Sequence, residues 1–214
     1  MNTNPNAKRI LCYGDSNTWG YIPATAKRYA VGCRWPGVLQ KLLGDSWEVI
    51  EEGVNSRTTV FDDPKHIGKN GKTYLVPCLE THNPIDIVIL YLGTNDLKER
   101  FNRSVEQVAE GMEELIKLIQ EYSRDANNNP SKIILVSPTI IDETVPGVEG
   151  KYRGAQVKSE QFGRLYADLA RKYGLSFVDA SAIVSPSKKD GYHLDPDSHE
   201  KLAQVFLGKI NKLG

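Results

Sequence analysis

Apolar and polar positions along the chain fall into blocks whose period changes from one to the next. Predominantly apolar runs stand at residues 10–13, 47–50, 85–92, 133–136 and 177–178, and each reads as a buried strand. Between them the spacing becomes helical. Pro36 in a first turn and Gly44 past the last apolar residue bracket Val38, Leu39, Leu42 and Leu43. Ser104 and Gln107 make a capping box, followed on one face by Val105, Val108, Met112, Leu115, Ile116 and Ile119. A third helix is predicted over residues 156–173, stopping at Gly174. A last one starts at Asp195-Pro196 and turns Leu202, Ala203, Phe206 and Ile210 inward.

Strands separated by helices predict right-handed crossovers and a mostly parallel sheet covered on both faces, an α/β fold in a single domain over residues 1–214. Ligands of such sheets sit beyond the carboxyl ends of the strands. The loops that follow the strands are therefore where chemistry is to be sought.

Composition narrows the partners. Lys plus Arg equals Asp plus Glu, 27 of each, so no net field gathers nucleic acid or an anionic membrane. No basic run interleaved with aromatics restores that idea locally. The expected substrate is a small molecule. Residues 1–8 are polar, with no apolar leader, and the longest apolar run falls far short of a membrane span, so the expected location is the cytoplasm. Cys12, Cys33 and Cys78 are odd in number and widely spaced, which suits a reducing compartment and reads as small buried hydrophobes.

Three loops carry candidate chemistry. The first strand runs into Gly14-Asp15-Ser16-Asn17-Thr18-Trp19-Gly20, where a glycine lets the chain leave the sheet and a serine follows. The spacing is neither that of a dinucleotide fingerprint nor that of a P-loop, and the G-x-S-x-G elbow is absent. Taken alone, the segment is either a polar turn or a nucleophile loop. The second strand leads to Asn55-Ser56-Arg57 and the third to Gly93-Thr94-Asn95-Asp96, both able to offer N–H donors toward Ser16. Convergent donors of that kind are what a tetrahedral oxyanion requires.

Near the end of the chain, Asp190 precedes His193 by three residues. A carboxylate at that spacing can fold back onto Nδ1 of the ring and leave Nε2 free as a base. The alternative is a polar loop with a surface histidine. His66, His82, His193 and His199 lack metalloprotease spacing, so no catalytic metal is expected, and nothing calls for another cofactor.

In order along the chain, Gly14-Asp15-Ser16, Gly93-Thr94-Asn95-Asp96 and Asp190-x-x-His193 resemble blocks of the SGNH (GDSL-like) hydrolases. The resemblance implies a three-layer α/β/α sandwich with a flavodoxin-like five-stranded parallel sheet. It also implies Ser16 as nucleophile, His193 as base and Asp190 as its orienter, with an oxyanion hole from Ser16, Ser56 and Asn95. Two positions depart from the pattern: Asn17 stands in place of the signature leucine, and Ser56 where a glycine is frequent. Further stretches, including Arg34-Trp35, residues 48–59 and Asp62-Asp63-Pro64, resemble the arylesterase and acyltransferase branch. That branch acts on short-chain acyl and aryl esters, and some members pass the acyl group to alcohols or peroxide.

Asp15 and Trp19, which flank the serine, are expected to line the substrate pocket, and residues 139–154 to lie over the site. A homo-oligomer is expected, since paired chains could also close the mouth of the site. Two other readings stand beside this one. A carbohydrate acetylesterase would use the same site, whereas a non-catalytic flavodoxin-like binding module would explain the sheet but not the Asn95 and Asp190/His193 loops.

Overall fold

The computed structural model describes residues 2–213. Five strands, β1 (Lys8–Gly14), β2 (Trp47–Gly53), β3 (Ile87–Tyr91), β4 (Lys132–Ser137) and β5 (Ser176–Asp179), form one parallel sheet in the order β2-β1-β3-β4-β5. The helices are α1 (Ser16–Trp19), α2 (Trp35–Leu43), α3 (Gly71–His82), α4 (Val105–Tyr122), α5 (Glu149–Tyr152), α6 (Ala155–Ser159), α7 (Phe162–Tyr173) and α8 (Pro196–Leu213). No described helix is long and apolar enough to cross a membrane.

Period-2 alternation along the strands divides the core. Ile10, Cys12, Ile87, Ile89 and Tyr91 share one face with Trp35 and Leu39 of α2 and with Leu202, Phe206 and Ile210 of α8. Leu11, Tyr13, Val88 and Leu90 share the other with Leu75 and Leu79 of α3, Met112 and Leu115 of α4, and Tyr166 of α7. Each fully buried Leu, Ile or Phe on these faces contributes roughly 1.5–3 kcal/mol. The result is the expected three-layer sandwich.

The differences from expectation have local causes. β2 extends through Glu51 and Glu52 because it is an edge strand, half-buried throughout, and Glu51 pairs with Arg28 and Arg34. The strand expected over residues 85–92 is shorter, Ile87–Tyr91. The helix expected over 156–173 is two helices, broken where Ser159 Oγ turns back to the Gln156 carbonyl at 2.8 Å and takes the Ile141 N–H at 3.0 Å. Helix α3 was not expected at all. It is weakly amphipathic, contains Pro77, and is started by Asn70, whose side chain accepts from the N–H groups of Lys72 and Thr73.

Strand order reverses at β1, whose neighbours β2 and β3 lead away to opposite edges. A crevice opens at such a switch point, beyond the carboxyl ends of the strands. Ser16 follows β1 and Asn95 follows β3, so the topology alone sets them side by side.

Candidate active site

Ser16 is the first residue of a one-turn helix. Asp15 caps it, Oδ1 accepting from the Asn17 N–H at 2.9 Å. Gly14 is required by close packing, because a Cβ there would stand 2.0 Å from Thr18 Oγ1 and 2.9 Å from the Tyr91 carbonyl oxygen. The seryl Oγ lies 3.0 Å from His193 Nε2, and His193 Nδ1 lies 2.7 Å from Asp190 Oδ2. The Asp190 loop folds back on itself: Oδ1 accepts from the His193 N–H at 3.1 Å, and Oδ2 also accepts from Ala24 N–H at 3.0 Å. A carboxylate facing Nδ1 places the ring proton there by hydrogen-bond logic, leaving Nε2 as acceptor for the seryl hydroxyl. Tyr21 stacks on the imidazole at 4.2 Å and Tyr192 tilts against it at 4.5 Å, so the ring is held as well as oriented.

The loop after β2 turns at Asn55-Ser56, closed by Arg57 N–H to the Val54 carbonyl at 3.1 Å. Ser56 has φ +66°, the left-handed conformation that the third residue of a type II turn needs and that usually selects glycine. Asn95 Nδ2 donates to the Arg57 carbonyl at 3.0 Å and to Asp15 Oδ2 at 3.3 Å. Among the described residues, the N–H groups of Ser16 and Ser56 donate to no protein acceptor. Arg57 itself is buried over the Tyr13 ring, 4.1 Å from its centre, and donates to the carbonyls of Gly14 and Glu52. It therefore ties the ends of β1 and β2 together beneath the site.

Charge in the site is set mostly by burial. Burial holds His193 below the ordinary imidazole value. The Asp190 carboxylate opposes this, and the Lys151 and Lys98 ammonium groups push in the same direction as burial. Burial also disfavours the Asp190 carboxylate, but the hydrogen bonds it receives from His193 and from backbone N–H groups hold it below the usual range. Asp15 is pushed up to about 6 by burial, and Lys98 is brought down to about 7 by burial and by the nearby Lys151 and Arg100.

Ser16, His193 and Asp190 are thus joined in one hydrogen-bonded chain, and Ser56 and Asn95 sit on the two loops beside it. Asp15 does not wall an open pocket. It is 2% exposed and lies under the serine as a cap and as an acceptor for Asn95. Trp19 is half-buried, its ring centre 6.3 Å from that of Tyr21, with the Arg28 guanidinium 5.2 Å from it. Residues 139–154 pack against both neighbouring loops: Tyr152 OH reaches Asn95 Oδ1 at 3.5 Å, and Lys151 Nζ donates to Tyr192 OH at 3.0 Å. Sequence reasoning missed Tyr21, Arg57, Lys98, Lys151 and Tyr192. Arg57, Lys98, Lys151 and Tyr192 lie in or next to segments already singled out, but nothing in the local sequence marked those side chains; Tyr21 lies five residues past Ser16.

The fold and the hydrogen-bonded Ser16–His193–Asp190 chain define an α/β/α protein with a serine–histidine–aspartate constellation at the sheet's switch point. The chain belongs to the GDSL-like lipase/acylhydrolase family, which it matches over residues 12–201. It is similar to an aryl esterase of M. smegmatis, 37% identical with a TM-score of 0.91, over 97% of this chain and 100% of that one. It is similar to a carbohydrate acetylesterase from Sinorhizobium meliloti, 34% identical with a TM-score of 0.90, over 97% and 100% of the two chains. Among curated proteins it is 24% identical to an acetylxylan esterase of Xylanibacter ruminicola, over 96% of this chain. The chain spans 43% of the length of that relative.

Proposed function

We propose that the chain is a serine esterase that hydrolyses short-chain acyl and aryl esters through an acyl-enzyme. The observation that carries the proposal is the unbroken chain of contacts, 3.0 Å from Ser16 Oγ to His193 Nε2 and 2.7 Å from His193 Nδ1 to Asp190. Ser16 Oγ attacks the ester carbonyl carbon and its proton passes to His193 Nε2. The oxyanion is held by the free N–H groups of Ser16 and Ser56 and by Asn95 Nδ2, which exchanges its longer bond to Asp15 for the substrate oxygen. The tetrahedral intermediate collapses, the C–O bond to the alcohol breaks, and the leaving alkoxide takes the proton back from Nε2. Water, deprotonated by the same nitrogen, then attacks the acyl carbonyl, and Ser16 leaves with its proton restored.

The depressed basicity of His193 keeps the ring neutral, and so able to accept the seryl proton, through the neutral range. Ser16 is only 7% exposed and His193 5%, which favours small acyl groups over long ones. The test is hydrolysis of p-nitrophenyl acetate, butyrate and octanoate by the wild type and by Ser16→Ala. The expectation is a preference for short chains and a loss of about 10⁴- to 10⁶-fold in kcat for the variant. A folded Ser16→Ala protein that keeps most of the rate removes the mechanism.

A carbohydrate acetylesterase is the second reading, favoured by the similarity to the Sinorhizobium meliloti enzyme. Acetate release from acetylated xylan and acetylated sugars, set against aryl acetates at equal concentration, separates the two.

A further inference from the structure

A second cluster of reactive side chains lies at the edge of the sheet and shares no hydrogen bond with the triad. Cys78 and His82 are four residues apart on α3, so they stand on one face of the helix. Glu52, on the edge strand β2, reaches across to them. A Glu52 carboxylate oxygen, the Cys78 sulfur and a His82 ring nitrogen all lie within 4.8 Å of one another. We propose that Glu52, Cys78 and His82 form a structural binding site for one zinc-like divalent cation, with water as the fourth ligand.

The donor set selects the ion. A thiolate, an imidazole and a single carboxylate suit zinc or cobalt and suit calcium or magnesium poorly, since those ions take oxygen ligands. The spacing is close to what such an ion needs. Bonds of about 2.0 Å to N and O and about 2.3 Å to S hold tetrahedral donors roughly 3.3–3.5 Å apart. His82 Nε2 and Glu52 Oε1 already stand 3.0 Å apart, sharing a proton where the ion would sit. The Cys78 sulfur lies within 4.8 Å of both and closes on them as the ion binds.

The surroundings supply support and entry. Tyr74 stands one turn before Cys78, on the same face of the helix. Cys78 is buried, whereas Glu52 and His82 are half-buried and Tyr74 is exposed, so the ion enters from the helix's outer side and a water can reach it. Charge balances. The dication meets a thiolate and a carboxylate, the Cys78 proton is released to solvent, and His82 binds as the neutral ring. Two cations act against the ion: Arg9 Nη1 donates to the His82 carbonyl at 3.4 Å, and the Arg57 guanidinium lies 5.5 Å from the centre of the Tyr74 ring.

The test is titration of the metal-stripped full chain with Co²⁺ as a probe, followed by competition with Zn²⁺. One equivalent is expected to give a near-ultraviolet sulfur-to-cobalt band with visible d–d bands of tetrahedral intensity, all displaced by zinc. Cys78→Ser abolishes the sulfur band, and Cys33→Ser leaves it intact. His82→Gln and Glu52→Gln weaken zinc binding by more than the roughly 10- to 100-fold that loss of a merely orienting group costs. These two partly exposed positions decide the matter if Cys78→Ser does not fold. A wild type with no saturable band, or a band that survives Cys78→Ser, overturns the proposal. Hydrolysis of p-nitrophenyl acetate by His82→Gln stays near the wild-type rate, so failure here is distinct from failure of the esterase reading.

Discussion

The Asn95 side-chain amide donates to the main-chain carbonyl of Arg57 at 3.0 Å, and this bond helps pin the loop after β3 to the loop after β2, one residue from Ser56. Both loops flank Ser16, so the bond fixes the relative positions of two proposed oxyanion donors. Asn95→Ala removes one donor and loosens the other. The expected outcome is a fall of about 10²- to 10³-fold in kcat on p-nitrophenyl acetate, with KM changed far less. A variant that raises KM and keeps kcat would place Asn95 in ground-state binding instead.

Ser56 offers a sharper separation of backbone from side chain. Its φ of +66° carries the strain of a non-glycine residue in the left-handed region, about 1–2 kcal/mol. Ser56→Gly relieves that strain and adds roughly 0.5–1 kcal/mol of backbone entropy cost, so the net effect on stability is small and favourable. The N–H survives the change. Esterase activity is therefore expected to stay within about threefold of wild type, which is under 1 kcal/mol, while the urea midpoint stays level or rises. A loss comparable to that of Asn95→Ala would mean that the Ser56 hydroxyl, not its N–H, carries the role.

The basicity of His193 is open to test through Lys98. This lysine is 2% exposed, and its ammonium is one of the groups that hold the imidazole below its ordinary value. Lys98 itself comes down to about 7, so it is charged over the acid range in which His193 titrates. The wild-type acid limb of kcat/KM is expected below pH 6.5. Lys98→Met removes a positive charge that opposes the imidazolium, so the limb moves to higher pH. Overlapping limbs for the two proteins would show that Lys98 has no part in holding the ring down.

How much of this was legible in the sequence follows from what each residue contacts. Ser16, Asn95, Asp190 and His193 were singled out because each sits in a loop after a strand or before a helix; local spacing left each of them open, and it was their order along the chain, resembling the SGNH blocks, that joined them. The strands β1, β3 and β4 were legible because burial on both faces leaves unbroken apolar runs. Helix α3 was not, since Pro77 and an ill-defined apolar face hide it and the Asn70 cap comes before no clear periodic stretch. Arg57 and Lys98 were hidden for another reason. Charged residues are ordinarily exposed, and nothing local says that Arg57 is stacked on Tyr13 or that Lys98 is enclosed. Tyr21 reaches His193 from a distant part of the chain, a contact that spacing does not encode.

Asp96 makes a prediction about stability in place of rate. Its carboxyl is fully buried: Oδ1 accepts from Thr59 N–H at 2.9 Å and from Thr59 Oγ1 at 2.6 Å, while Oδ2 has no partner among the described residues. Burial pushes the group up to about 7, and the two bonds from Thr59 pull it down without restoring it. The unfolded chain has an ordinary carboxyl near 3.9. The folded state therefore binds this proton more tightly, and the stability it contributes is full below about pH 4 and lost as pH rises through about 7. Asp96→Asn keeps an acceptor for Thr59, puts an N–H donor where the carboxylic acid proton would be, and does not titrate. Urea unfolding at pH 5 and pH 8 should show the wild type losing more stability than Asp96→Asn between the two, by on the order of a few kcal/mol. Asp15, pushed up to about 6, acts in the same direction and leaves some slope in the variant. Parallel pH dependences for the two proteins would mean that Asp96 titrates in the fold much as it does in the unfolded chain, and that the buried carboxyl is solvated by water reaching Oδ2.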